Sequence, residues 1–261
     1  MTGSAPESEG GKRELPPSKR IADELRRAID AGELAPGSRL PSERELARSY
    51  GTARNTARQA VQILLGEGLV EAQHGRGVFV RPPRSLVCLG YDRYSRRYRK
   101  VGLAPFRAEA ERQGFAPRVE VQDVEPVPAP GWVAERLELG EGDKVLRRRN
   151  RYFADDRPVQ LADTYIPLDV AGESSLHQPE VGPGGIYQRL EERGHRLLAF
   201  REDITARMPR PDEVESLVIS PGIPVIELLH TSLDQDGKPF EVTHFVLPAD
   251  RNALSFELTA D

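Results

Sequence analysis

The chain has 261 residues, a mass of 29.0 kDa, 38% hydrophobic and 30% charged side chains, a net charge of −4 and a pI near 5.9. That length suits one large domain or two of ordinary size, and the composition supplies packed cores under a well-solvated surface. The apolar runs are too short to span a bilayer, the N-terminus has no continuous apolar stretch of the secretory kind, and the single cysteine, Cys88, excludes an intramolecular disulfide and a cysteine-based metal cluster. A soluble, cytoplasmic protein with no membrane partner is expected. Charge is unevenly spread. Residues 1–84 carry 14 Lys/Arg against 11 Asp/Glu, whereas residues 101–261 carry 18 against 29. A basic front and an acidic back fit two modules with different partners.

Residues 1–16 are rich in Gly, Ser, Pro and Glu and read as a disordered tail. After Pro17, the residues Ile21, Leu25, Ala28 and Ile29 recur at helical spacing, and Ala31-Gly32 ends that stripe. Ser42 opens a short second helix running to about Tyr50. Glu45, three residues on, completes a capping box, in which the Ser oxygen and the Glu carboxylate each satisfy an orphan backbone N–H. Thr52 is placed to cap a third helix, whose buried face is Ala57, Ala60, Val61, Leu64 and Leu65. Strands over 69–72 and 78–80 flank the turn His74-Gly75-Arg76-Gly77 and predict a hairpin. Three helices and a hairpin within residues 17–80 are the parts of a winged helix-turn-helix. Pro82-Pro83 marks a stiff linker over 81–84.

From residue 85 to 261 the texture changes. A strand is expected over 86–89, a helix over 104–113, an extended stretch over 118–127 and a short helix over 132–139. Residues 145–153 and 159–166 form a hairpin. A helix over 186–193, an extended stretch over 197–208 and a short helix over 211–218 follow. Residues 225–233 and 240–247 flank an Asp-Gly turn and form a second hairpin. A last strand is expected over 254–258. Strands outnumber helices and the hairpins imply an antiparallel sheet, so this module is an α+β domain.

A recognition helix enters the major groove with its N-terminal end. Arg54, Asn55, Thr56 and Arg58 occupy that end of the third helix. Arginine can bond both acceptors of guanine, and asparagine can pair with adenine. Arg44, in the first turn of the second helix, is placed for a base or a phosphate. In the wing turn the glycines let the backbone approach DNA, and Arg76 offers a cation to the minor groove. Each arginine taken singly also suits a solvated helix face. Four donors at one helix start, before a Gly-rich hairpin, point instead to double-stranded DNA.

The stretches Leu40-Pro41-Ser42-Glu43-Arg44-Glu45-Leu46-Ala47, Ala53-Arg54-Asn55-Thr56-Ala57-Arg58-Gln59-Ala60, Gly66-Glu67-Gly68-Leu69-Val70 and Gly75-Arg76-Gly77-Val78-Phe79-Val80 closely resemble the DNA-binding domain of the GntR family of bacterial regulators. The resemblance covers about residues 17–80. It implies a dimeric winged-helix repressor on a short inverted repeat, with base and phosphate contacts at Arg44, Arg54, Thr56, Arg58, His74 and Gly75. Ala53 stands where the family often has Ser or Thr, and it cannot donate. The second module resembles the UTRA domain of the HutC subfamily. The carrying stretches are Asp156-Arg157-Pro158-Val159-Gln160-Leu161-Ala162-Asp163-Thr164-Tyr165-Ile166-Pro167 and Asp236-Gly237-Lys238-Pro239-Phe240-Glu241-Val242-Thr243, with a looser match at Pro248-Ala249-Asp250-Arg251. This implies a chorismate lyase-like fold, an antiparallel sheet with a pocket for a small-molecule effector between sheet and helices. Ala162 stands where many members carry a pocket-facing Glu tied to sugar-phosphate sensing, which weakens the case for an amino-sugar phosphate.

Arg147, Arg149 and Arg151 alternate on one strand and so share a face. Facing inward they make an anion site; facing outward they are a solvated edge. Arg148 and Tyr152 then face the other way. Tyr165 and Glu241 lie on strands of matching sequence and suit polar groups of an effector; sheet packing and a surface charge are the plain alternatives. The tract Arg93, Arg96, Arg97, Arg99 and Lys100, with Tyr91, Tyr94 and Tyr98, suits DNA flanks, an acidic effector or a solvated helix. His177, His195, His230 and His244 lack metal-ligand spacing, and Gly182-Pro183-Gly184-Gly185 lacks the Lys-Ser/Thr of a phosphate loop. No catalytic residue, metal or cofactor is expected. Two rivals to a regulator are a chorismate-lyase-like enzyme with a DNA-binding head, from fold analogy alone, and an effector-independent DNA-binding protein.

Overall fold

The computed structural model describes residues 15–73, 75–81, 85–90 and 93–257. The expected tail over 1–16 and the Pro82-Pro83 linker therefore lie almost wholly outside the described residues. The chain divides into two compact units, residues 1–83 and 84–261. Among the described residues no helix is long and apolar enough to cross a membrane.

In the first unit, α1 (Pro17–Asp30) starts on a proline, whose fixed φ and missing N–H suit a first turn. In α2 (Glu43–Ser49) the capping box is made: the Glu45 N–H donates to Ser42 Oγ at 3.3 Å, and the Ser42 N–H donates to Glu45 Oε2 at 2.7 Å. Ser42→Ala therefore costs the α2 end about 1 kcal/mol. Hydrogen exchange of the α2 amides is expected to speed up about fivefold; unchanged protection would show that the cap does not stabilise the helix.

The third helix, α3 (Arg54–Gly66), departs from expectation at its start. Its N-cap is Ala53, without a side-chain hydrogen bond. Thr52 instead donates its N–H to Ala47 O at 2.9 Å, closing the turn after α2. Strands β1 (Val70–Gln73) and β2 (Gly77–Val80) pair antiparallel, with Val70 opposite Val80. Ile21, Ala22, Leu25, Leu46, Ala57, Ala60, Val61 and Leu64 pack with Val70 and Val80 in one core. That core fixes α2 and α3 against each other and so sets which face of α3 is left outside.

The second unit is built on a six-stranded antiparallel sheet. Its strands are β4 (Pro117–Pro128), β5 (Lys144–Ala154), β6 (Arg157–Pro167), β7 (Ala199–Arg207), β8 (Val225–Leu233) and β9 (Pro239–Pro248), in the order β4-β5-β6-β9-β8-β7. Both expected hairpins are present, β5–β6 and β8–β9. The remaining pair is β3 (Leu86–Leu89) with β10 (Asn252–Ser255), and it is parallel. The last strand thus lies earlier than the expected 254–258, because it is placed by a partner at the other end of the unit, not by a turn. Among the described residues the α-helices are α4 (Arg96–Lys100), α5 (Pro105–Arg112), α6 (Gly131–Leu137), α7 (Leu168–Ala171), α8 (Gly185–Glu192) and α9 (Pro211–Leu217), with one 3-10 turn over Ser175–His177.

The helices cover both faces of the sheet. On one face α7 and α8 pack on Leu146, Ile166 and Phe240, and α5 packs on Ala154 and Val159. On the other, α6 packs on Val145, Tyr165 and Val242, and α9 on Leu161, Val225 and Val246. Side chains alternate along each strand, so neighbouring residues of β5 belong to different layers.

Candidate DNA interface and ligand cavity

The first unit gathers its cations around the start of α3. Arg44, Arg54 and Asn55 are exposed, as is Arg58, while Thr56 is half-buried. The Arg54 and Arg58 side chains are 71% and 60% exposed. Arg54 works against the helix dipole, which favours anions in the first turn, and Arg58 stands one turn further on. An arrangement that neither caps the helix nor packs its core is suited to an external polyanion. In the wing, Gly75 has φ +71°, a conformation that a side chain would strain. Arg76 is exposed and its guanidinium carbon lies 5.4 Å from the centre of the Phe79 ring. His74 lies outside the described residues.

Sequence reasoning missed one member of this surface. The Glu43 carboxylate accepts from both arginines, Oε2 from Arg54 Nε at 3.1 Å and Oε1 from Arg58 Nε at 3.0 Å. A hydrogen bond from Arg58 does most to hold its carboxyl below the usual range; burial opposes it, and a hydrogen bond from Arg54 adds to the lowering.

The second unit encloses a cavity of about 440 Å³ between the sheet and helices α5 and α8. Its sheet wall is Val119 and Val121 of β4, Arg148, Asn150 and Tyr152 of β5, Thr164 of β6, and Thr243 and Phe245 of β9. Of the two orientations open to Arg147, Arg149 and Arg151, the structure has the outward one. Arg147 pairs with Asp123 at 2.6 Å and with Glu125, Arg149 with Asp163 at 2.9 Å, and Arg151 with Glu120 at 2.8 Å. None of the three lines the cavity. Tyr165 shares their face and packs under α6, edge-on to Trp132. Glu241 is neither a surface charge nor a cavity wall. It is fully buried behind the wall, accepting from Tyr187 Oη at 3.0 Å, Ser232 Oγ at 2.6 Å and Thr243 Oγ1. Tyr187 and Thr243 do face the cavity, so Glu241 acts on it through them.

The cavity's polar groups are incompletely satisfied. Arg148 donates to Gln178 O at 2.7 Å, Pro179 O at 3.0 Å and Leu176 O, pinning the loop that forms one wall. Its Nε, the Arg93 Nε and the Asn150 Oδ1 are buried without a hydrogen-bond partner among the described residues. A buried polar group left unpaired costs about 1–3 kcal/mol; these three atoms sit behind the cavity surface, on residues that line it. Two helix starts add donors. The first turns of α5 and α8 line the cavity, and their N-caps, Ala104 and Gly184, make no side-chain cap bond. Gly185, at φ +70°, lets them converge: a Cβ there would meet the Ala104 Cβ at 3.0 Å. Helix N-termini with arginines nearby favour an anionic group. Burial raises the Tyr152 hydroxyl, and burial with the nearby Glu241 raises that of Tyr187, so both are neutral donors.

The tract 93–100 is not a uniformly solvated run. Arg93 is buried, donating to Gln160 Oε1 at 3.1 Å and to Cys88 Sγ at 3.0 Å, and lying 3.5 Å from Glu109. Arg99 is buried as well and donates to Tyr94 O at 2.7 Å. Arg96, Arg97 and Lys100 are exposed, and Tyr91 lies outside the described residues. Burial pushes the Cys88 thiol up to about 12, which makes it a packing residue.

Comparison with known proteins accounts for both units. Residues 17–80 match the gntR family of bacterial regulatory proteins, and residues 112–252 match the UTRA domain. The chain is 32% identical to the HTH-type transcriptional regulator Rv0792c of Mycobacterium tuberculosis, over 94% of this chain and 86% of that one. It is 28% identical to the HTH-type transcriptional repressor NagR of Bacillus subtilis, over 91% of this chain and 92% of that one. A crystal structure of a GntR-family transcriptional regulator superposes with a TM-score of 0.60 at 30% identity, covering 94% of this chain and 98% of that one. With a gntR-family match over residues 17–80 and a UTRA domain over residues 112–252, the chain belongs to the GntR family of transcriptional regulators, in the HutC arrangement.

Proposed function

We propose that this regulator is a homodimeric repressor that grips an inverted-repeat operator with two copies of α3 and releases it when a small anionic molecule fills the cavity. Arg44, Arg54, Asn55, Thr56 and Arg58 contact the major groove, and the wing residues His74, Gly75 and Arg76 contact the backbone or minor groove. A linker over 81–84 joins each reading head to its effector domain. The ligand changes the spacing of the two heads, which must match half-sites about 34–36 Å apart or a multiple of that. By linkage, operator DNA weakens ligand binding by the same factor. The protein acts in the cytoplasm, as a binding protein and not an enzyme.

The observation that carries the ligand half of this reading is the cavity itself, walled by Arg93, Arg148 and Asn150 and by the first turns of α5 and α8. The arginines and the two helix starts suit a ligand with an acceptor-rich anionic head, while Val119, Val121, Val181 and Ile186 suit an apolar body. Thermal-shift screening of the full chain against carboxylated and phosphorylated metabolites tests it. A compound that raises the midpoint should also lower operator affinity. A hit with no effect on DNA binding would separate the cavity from regulation.

Arg149→Ala provides a control. Its side chain is 44% exposed and paired with Asp163 on the outer face, and such a pair is worth about 0–1 kcal/mol. Operator affinity and ligand response should both stay within about twofold of wild type. A blunted response would return the outer arginines to the ligand site.

A further inference from the structure

We propose that Glu43 is a positioning residue for operator recognition, holding Arg54 and Arg58 end-on toward DNA and suppressing their binding to DNA of any sequence. The proposal rests on the reading of those arginines as DNA contacts.

Glu43 is the first residue of α2, directly after the Ser42 cap. Glu45 already completes the capping box, so the Glu43 carboxylate is not needed there. It divides its two oxygens between α3 residues one turn apart, taking the Nε–H of each. A guanidinium has five N–H groups. With Nε–H committed, the two terminal nitrogens remain as a fork, the geometry that matches O6 and N7 of guanine. One carboxylate therefore selects the same orientation for both side chains.

The exposures fit this division. The Glu43 side chain is 25% exposed, beneath arginines at 71% and 60%. The anion is less exposed than the cations it holds, so the arginines present the larger surface to a phosphate. It offsets the repulsion between two like charges one turn apart. It also leaves the trio with one net positive charge instead of two. Fewer net charges mean weaker sequence-independent attraction to the phosphate backbone. The two guanidinium partners lower its carboxyl, which keeps it ionised at neutral pH.

The test compares the wild-type chain with Glu43→Gln on two duplexes. One is the sequence enriched by the wild type in random-site selection; the other is a scrambled duplex of equal length. Glu43→Gln should bind the scrambled duplex about tenfold more tightly at low salt and steepen its salt dependence by about one unit of log–log slope. The ratio of specific to non-specific affinity should fall at least about fivefold. A ratio within twofold of wild type overturns the proposal. Wild-type protein supplies a second arm that needs no variant. By NMR, the Nε–H protons of Arg54 and Arg58 should exchange more slowly than that of exposed Arg44. Equal exchange in all three also overturns it. Selection that enriches no sequence sinks the DNA-contact reading itself, and this proposal with it.

Discussion

Arg54→Ala is expected to weaken operator binding by about 1–3 kcal/mol, roughly 5- to 150-fold, and to relax base preference at one position of each half-site. The side chain stands at the start of α3, 71% exposed, with its Nε held by Glu43 and its terminal nitrogens facing no hydrogen-bond partner among the described residues. It is exposed and not part of the first unit's core, so its removal should leave the fold intact. The loss should appear on the operator and hardly at all on scrambled DNA. Equal losses on both duplexes would make Arg54 a phosphate contact, and an unchanged operator affinity would take it out of the interface.

The second large effect is expected in the cavity. Val121→Trp places an indole into the space between β4 and α8 from a half-buried position on an edge strand. Overpacking of this kind costs about 1–3 kcal/mol, which a domain with so extensive a sheet can absorb. Ligand affinity should fall at least about 100-fold, because the bulk occupies the ligand's volume, while operator affinity stays within about twofold. The variant should then repress without responding to its ligand. Normal ligand affinity in Val121→Trp would place the effector somewhere other than this cavity.

Sequence reading succeeded where the governing interactions are local. The capping box needs only Ser42 and Glu45, and the helical stripe of α1 needs only residues within two turns. Both β-hairpins of the second unit are announced by their turns. It fell short where the partner is remote. β3 and β10 join the two ends of the second unit, so neither strand's limits are written beside it. Periodicity showed that Arg147, Arg149 and Arg151 share a face but could not choose which. Helices cover both faces of β5, and both Val145 and Leu146 at its start are fully buried. What decides the outcome is Asp123, Glu120 and Asp163 on the adjacent strands, which neutralise the outer row.

The same limit applies to the buried cations. Arg93 belongs to a run that suits DNA flanks, an acidic effector or a solvated helix equally by type, and only the fold brings Gln160 and Glu109 to it. Glu43 was visible in the motif around α2, but a clamp on Arg54 and Arg58 depends on how α2 packs against α3. In each case the residue type was legible and the partner was not.

The deciding property is whether the full chain recognises a particular DNA sequence. Fluorescence anisotropy on DNA from upstream of its own gene, across a salt series with scrambled competitor, measures this. The account predicts binding that survives competitor, at least about 1,000-fold tighter than to scrambled DNA. Binding that competitor removes in proportion to its length, at every salt concentration, would contradict it.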